Sequence, residues 1–285
     1  RVVGVEVESG DEMFRLYADE VVLSAGPIGS PHILMLSGIG PAENLDRLDI
    51  PEVLDLPGVG QNLRDHPQVS VLFESTDTLQ QDGLEPRLQV GLRYTATNSD
   101  LRNDMFILPH SFAVPEGYYV VSESEPIGFY IVSVLNLAYG SGTIALTSKD
   151  PRVQPSLDYN FLQDPFDRQR LREAVRISVA LAQREEYADL VGRRVDPTSN
   201  DLESDDALDR WMMKKVQTSH HVSGTCKMGP VSDPMAVVDQ YGRVHGINGL
   251  RVADASIMPD CIRANTNVTT MVIGERIAQF IRNSR

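Results

Sequence analysis

Apolar and polar positions alternate over residues 2–8 (VVGVEVE) and again over 13–24 (MFRLYADEVVLS), with SGDE between them. This pattern predicts a β-hairpin. The second arm turns fully apolar at Val21–Leu23, which predicts a buried strand ending at Ala25-Gly26. Ser30-Pro31 then opens a short helix over His32–Leu36. A strand, a glycine turn and a helix in that order present a ligand site in α/β sheets. From about residue 68 the pattern changes. Six runs rich in β-branched and aromatic residues follow, at 69–75, 88–95, 105–112, 118–124, 129–136 and 143–148, and they predict a mostly antiparallel sheet.

Two amphipathic helices come next. Asp164–Tyr187 has Pro165 at its start and Leu171, Ala174, Val175, Leu181 and Ala182 mostly on one face. Ser204–Val216 has a serine cap, Asp205 and Asp206 in its first turn and Lys214 and Lys215 in its last, a distribution that suits the helix dipole. After Thr218 come short strands at 236–238 and 249–253 and a closing helix over Thr269–Arg282, whose apolar positions are Met271, Ile273, Ile277, Ala278 and Ile281. The predicted fold class is therefore α/β at both ends with an antiparallel insert packed with helices. Residues 1–67 and 217–285 form one domain and 68–216 the inserted one.

Composition narrows the functional classes. The 285 residues include 26 Lys+Arg and 40 Asp+Glu, a net charge of −14. Such a chain repels phosphate backbones, so nucleic acid is not an expected partner. No apolar run approaches the ~20 residues of a membrane span. Two cysteines, Cys226 and Cys261, make no disulfide framework, so a reducing, cytoplasmic setting is the default. Both read as buried small residues without a low-pKa setting. The chain opens at Arg1 without a signal-like segment, which suggests that the true N-terminus lies elsewhere.

Two stretches are dense in chemistry. His220 and His221 sit in SHHVSGTCKMG, which has neither helical nor strand periodicity. A loop of this kind can place an imidazole for acid/base work, and it can equally hold surface or packing histidines. Cys226 follows His221 by five residues, and no further ligand stands at a zinc-like spacing, so no metal is expected. The second stretch runs from Gly249 to Ala278. Asp254 closes a strand there, where a carboxylate can bond a ribose or ribityl hydroxyl. Asn265, Thr266 and Asn267 precede a helix, where one asparagine serves as a cap and a second is surplus to capping. Tyr118, Tyr119, Phe129 and Tyr130 on predicted strands, and His110, either line a pocket or pack. Trp211 reads as core, and His66 as structural.

Taken together, AGPIGSPHILMLSGIGP (25–41) with LPGVGQNLRDHP (56–67), HHVSGTCKMG (220–229), and VVDQYGRVHGINGLRVADASIMP (237–259) with NTNVTTMVIGERIA (265–278) resemble the glucose–methanol–choline (GMC) flavin oxidoreductases, with the choline-dehydrogenase-like branch the nearest match. GTIALTSKDPRVQPSLDYNFLQDPFD (142–167) matches the same family's substrate domain. The resemblance implies FAD as cofactor and oxidation of a primary alcohol to an aldehyde by hydride transfer to the flavin. It places the catalytic histidine of an H-x-x-G-T pattern at His221, with His220 as its neighbour, and the second catalytic residue at Asn265, as hydrogen-bond donor to the substrate oxygen. It places Asp254 and Ala255 at the flavin's diphosphate and ribityl region, Asn265 and Thr266 near its ring, and Ala25 and Gly26 where a strand end approaches the dinucleotide. The expected partners are a small-molecule alcohol and an electron acceptor, oxygen or a quinone. The family's opening strand–G-x-G-x-x-G–helix unit is missing: Gly38-Ile39-Gly40, Gly58-Val59-Gly60 and Gly140-Ser141-Gly142 lack the third glycine. The expected FAD-binding domain is thus incomplete, and an N-terminal FAD-binding portion is expected in cis or as a second chain. Two other readings stay open, a lyase of the hydroxynitrile-lyase kind on the same scaffold and an inactive fragment or structural subunit.

Overall fold

The computed structural model describes residues 1–10, 12–77, 86–114 and 127–283. In chain order the elements are β1 (Gly4–Ser9), β2 (Glu12–Tyr17), β3 (Val21–Leu23), α1 (Gly26–Leu36), β4 (Ile39–Gly40), α2 (Ala42–Arg47), β5 (Leu54–Asp55), β6 (Pro67–Ser75), β7 (Leu92–Tyr94), β8 (Met105–Ala113) and β9 (Gly128–Leu135). They continue with β10 (Thr143–Ala145), β11 (Ser156–Asp158), α3 (Pro165–Ala182), β12 (Val191–Asp196), α4 (Asp205–Lys215), β13 (Gln217–Thr218), β14 (Leu250–Val252) and α5 (Asn267–Asn283). They fall into two compact units. The first holds Arg1–Asp65, Ser141–Asn160 and His221–Arg285, and the second His66–Gly140 and Phe161–His220.

In the first unit β1 and β2 form the expected antiparallel hairpin. β3 pairs in parallel with β14, Leu23 opposite Val252. Leu23 is buried, and Val22, which points to the opposite face of the strand, is exposed. α1 begins at Gly26, six residues earlier than the pattern predicts, and it contains Pro31. A proline inside a helix leaves the carbonyl four residues back without its N–H partner. Here that carbonyl, of Pro27, accepts a bond from the Thr225 hydroxyl at 2.5 Å, so α1 continues through the proline. The core joins Leu34, Met35, Val59, Leu63, Val237, Val238 and Val252 with Ile144 and Leu146.

The last two residues explain a difference from the expected domain boundaries. Residues 141–160 belong to the first unit rather than to the insert. Leu63 and Gly142 exchange both backbone bonds at 2.9 Å, and β10 pairs with β11 apart from the large sheet. α5 also differs. Of its five predicted apolar positions only Ile277 is buried, while Met271 and Ala278 are exposed. It meets the short 3₁₀ turn at Ala255–Ile257, packs Ile273 on the core, and sets the Phe280 ring T-shaped against Tyr241.

The second unit is built on an antiparallel sheet of order β12-β6-β9-β8-β7, with β13 also on β6. Period-two alternation sends Val69, Val71 and Phe73 of β6 toward Leu171, Ala174 and Val175 of α3, and Leu72 to the other face with Tyr130, Val132 and Val134 of β9. Ser204 caps α4 as predicted, Asp164 caps α3, and Trp211 lies in the core. Arg170 is fully buried, bonded to Asp104 at 2.9 Å and Asp167 at 2.6 Å, with the ring of Phe166 beneath its guanidinium. A charge that deep is tolerated only when it is paired and hydrogen-bonded. The predicted strand at 118–124, with Tyr118 and Tyr119, lies outside the described residues.

Candidate active site

His221 lies in the first unit, on a stretch without regular structure whose backbone is nonetheless pinned at almost every residue. The His221 N–H donates to Asp65 Oδ1 at 3.0 Å. Ser223 and Arg64 exchange both backbone bonds at 2.9 Å. Gly224, Cys226 and Met228 donate in turn to the carbonyls of Ala255, Ser256 and Ile257 at 2.8–3.1 Å. This ladder against the 255–257 turn satisfies the loop's polar groups where no helix or sheet does. It also ties the H-x-x-G-T segment to the segment that follows β14.

Asn265 stands two residues before α5. Its Nδ2 is 3.0 Å from His221 Nε2, across 44 residues of sequence. An amide nitrogen only donates, so with the carboxamide oriented this way His221 Nε2 is the acceptor. Asn265 is exposed and His221 half-buried. The pair thus sets an imidazole nitrogen and an amide donor beside each other at an accessible surface. His220, the expected neighbour, belongs to the second unit. Its backbone is left-handed, with φ +61°, and its N–H donates to Thr218 Oγ1 at 2.9 Å.

A second group gathers at the carboxyl ends of the parallel strands β3 and β14. Asp254, 4% exposed, accepts bonds from the Gly26 N–H at 3.0 Å and the Ser30 hydroxyl at 2.5 Å on Oδ2, and from the Ser256 N–H at 2.8 Å on Oδ1. A carboxylate at the first turn of α1 is also favoured by the helix dipole. With three donors already on its oxygens, Asp254 holds the Ala25–Gly26 turn and the 255–257 turn together, and it has little acceptor capacity left for a ligand hydroxyl. Ala255 is buried and Thr266 nearly so. The Thr266 carbonyl accepts from both the amide and the hydroxyl of Thr270. Gly26 has φ +80°, and an added Cβ there would meet nothing within 4 Å. The backbone at Ala25–Gly26 therefore faces open space at a strand end, which is where a dinucleotide fits in α/β folds.

The structure joins Gly26, Ser30 and Ser256 to Asp254 by hydrogen bonds, joins His221 to Asn265, and links the two groups through the bond from Gly224 to Ala255, the residue after Asp254. Sequence reasoning passed over Ser30, read only as a helix start, and Asp65 and Asn62 in NLRDHP. The polar pairs Gln61-Asn62 and Arg64-Asp65 beside the glycine turn at 58–60 were the available signal for the last two. Both cysteines are buried, and burial raises their thiol pKa values, that of Cys261 to about 12. Among the described residues no group of three His, Cys, Asp or Glu is placed to hold a metal ion, and no helix is long and apolar enough to cross a membrane. A surface cavity of about 490 Å³ bordered by Glu20, Asp239, Arg243 and His245 contains none of the candidate residues.

Comparison with known proteins bears on this site. Two models of the GMC oxidoreductase family match residues 1–68 and 138–274. The chain is 35% identical over 306 residues to oxygen-dependent choline dehydrogenase 1 of Chromohalobacter salexigens, covering 99% of this chain and 54% of that protein. It is 38% identical over 283 residues to oxygen-dependent choline dehydrogenase of Yersinia pseudotuberculosis, covering 92% and 49%. The chain thus spans about half the length of the curated relatives it matches. Among solved structures, pyridoxine 4-oxidase from Mesorbium loti superposes with a TM-score of 0.88 at 27% identity, over 99% of this chain and 55% of that one. Formate oxidase from Aspergillus oryzae RIB40, in a study of its FAD modification, gives 0.85 at 25% identity, over 99% and 57%. On the two family matches and the identity to these relatives, the chain belongs to the GMC oxidoreductases.

Proposed function

We propose that this chain carries the proton-handling pair of an FAD-dependent oxidation of a primary alcohol to an aldehyde. The observation that carries the reading is the 3.0 Å approach of Asn265 Nδ2 to His221 Nε2 from two separate loops. Relatives named choline dehydrogenase, pyridoxine 4-oxidase and formate oxidase support a redox reaction, and the formate oxidase supports FAD. None of the relatives reported above bears a lyase name.

Turning an alcohol into an aldehyde removes a hydroxyl proton and a hydride. FAD, when bound, supplies the hydride acceptor. The protein's share is the proton and the charge that develops on the substrate oxygen. Neutral His221, with its lone pair on Nε2, accepts the hydroxyl proton. The Asn265 carboxamide has a second N–H, and it donates to the substrate oxygen as negative charge grows there without competing as a base. Both side chains stand beside each other before substrate arrives, and the substrate hydroxyl takes the place of the Asn265 N–H on His221 Nε2, so one hydrogen bond is exchanged on binding. Ala25 and Gly26 would hold the cofactor by close backbone approach. Asp254 and Ala255 would fix the two turns that border it, and Asn265 and Thr266 would stand near its ring. His220 would be a neighbour of the base.

The test is rapid anaerobic mixing of the FAD-loaded intact enzyme, its N-terminal FAD-binding portion supplied in cis or as a second chain, with an alcohol. His221→Ala lowers the rate of flavin bleaching by about 10²–10⁴-fold, the value of one positioned base, while bound FAD per protein stays the same. Bleaching at the wild-type rate would remove His221 from this role.

A further inference from the structure

Residues Asn62–Asp65 touch both of the loops that carry the pair, and the reaction described above gives them no part. We propose that Asp65 is a positioning residue for His221 and that the 62–65 segment is a brace setting the spacing between His221 and Asn265. The inference rests on the assignment of those two residues.

Asp65 is a carboxylate only 4% exposed, and a buried charge requires hydrogen bonds. One of them comes from the backbone N–H of His221 at 3.0 Å. A bond to that N–H fixes the point from which the imidazole projects. The next residue back adds two more constraints, since the Arg64 backbone exchanges both bonds with Ser223 at 2.9 Å. Asn62 then spans the two loops with one amide group. Its Nδ2 reaches the carbonyl of Gly224 at 3.1 Å and that of Pro259 at 3.3 Å. The first lies three residues after His221 and the second six residues before Asn265. Arg64 Nε holds the Asn62 carboxamide in place at 2.9 Å and stands 3.4 Å from Asp260.

The fit is close. Gly224 has φ +83°, and a Cβ on it would lie 2.6 Å from the Asn62 carbonyl oxygen. Three residues, Asn62, Arg64 and Asp65, therefore grip 221–224 and 259–260 at once. A misplacement of about 1 Å at reacting groups can cost about 10²-fold in rate, so a brace of this kind affects chemistry as well as stability.

The experiment measures flavin reduction by alcohol in the same FAD-loaded intact enzyme for Asp65→Ala, Asp65→Asn and the double variant with His221→Ala. Asp65→Ala is expected to lower the limiting rate by about 10–10²-fold, with the substrate concentration at half-maximal rate and the FAD content unchanged. Asp65→Asn keeps an acceptor oxygen and restores most of the rate. In the His221→Ala background, Asp65→Ala has little further effect, since its action passes through the imidazole. A multiplicative double variant, or a wild-type rate in Asp65→Ala, would overturn the proposal. If Asp65→Ala does not accumulate folded, Asn62→Gly replaces it. Asn62 is already left-handed at φ +57°, so glycine keeps that backbone and removes only the bridging amide, and the same non-additivity with His221→Ala is expected. A His221→Ala protein that reduces flavin normally would instead overturn the base assignment, so the two failures are distinguishable.

Discussion

Thr225 shows how much a single hydroxyl can settle. It supplies the bond that Pro31 denies to the Pro27 carbonyl, and so it keeps α1 continuous beneath the Ala25–Gly26 turn. Thr225→Val preserves shape and removes the donor. It is expected to cost about 1–3 kcal/mol in urea unfolding, the range for a buried polar group left unpaired, with Thr225→Ser recovering most of that. The sequence showed Thr225 only as part of a short motif, because its partner lies 198 residues away. Asp254 is a similar case. Its place at a strand end was legible in the alternation of 249–253, but its use by Gly26 and Ser30 was not, since those contacts cross more than 220 residues. His221 and Asn265 were legible as residue types in unusual loops, whereas their 3.0 Å approach is a product of the fold.

Elements that bury both faces were the easiest to read. β6, β8 and β9 follow their apolar alternation, and α3 and α4 carry their own caps. β12 was missed, because VGRRVD places two arginines in the strand, and it survives by pairing with β6 and by ion-pairing Arg193 to Glu74. α5 was found, and of its predicted apolar positions Ile277 is buried and Ile273 packs on the core, while Met271 and Ala278 are exposed. On β8, His110 is nearly buried opposite Tyr130. Burial, with the nearby Arg87 charge adding to it, lowers its pKa to about 4 from an ordinary 6.5. The folded protein then keeps His110 neutral while the unfolded chain takes up a proton below about pH 6.5. Stability contributed by neutral His110 is therefore full above that pH and falls as pH drops toward 4. Urea midpoints measured from pH 7 to 4 should decline more steeply for the wild type than for His110→Gln.

At the scale of the whole molecule, two units with separate cores differ in how deeply their strands are buried. The β8–β9 pair lies inside a six-stranded sheet covered by α3, whereas the β1–β2 hairpin exposes Met13, Phe14, Leu16 and Tyr17. Opening free energies follow burial, so amide hydrogen exchange should be slowest in β8 and β9 and fastest in β1 and β2. Equal protection in the two would contradict this description. The parallel pair β3–β14 joins residues 21–23 to 250–252, so one edge of the first unit has its partner almost a whole chain away. On a ribosome adding about 5–20 residues per second, the early strand waits roughly 10–50 s for its mate to be translated. During that interval its apolar side chains are open to holdase chaperones, and it is this stretch that a cell must guard until residues 250–252 have been made.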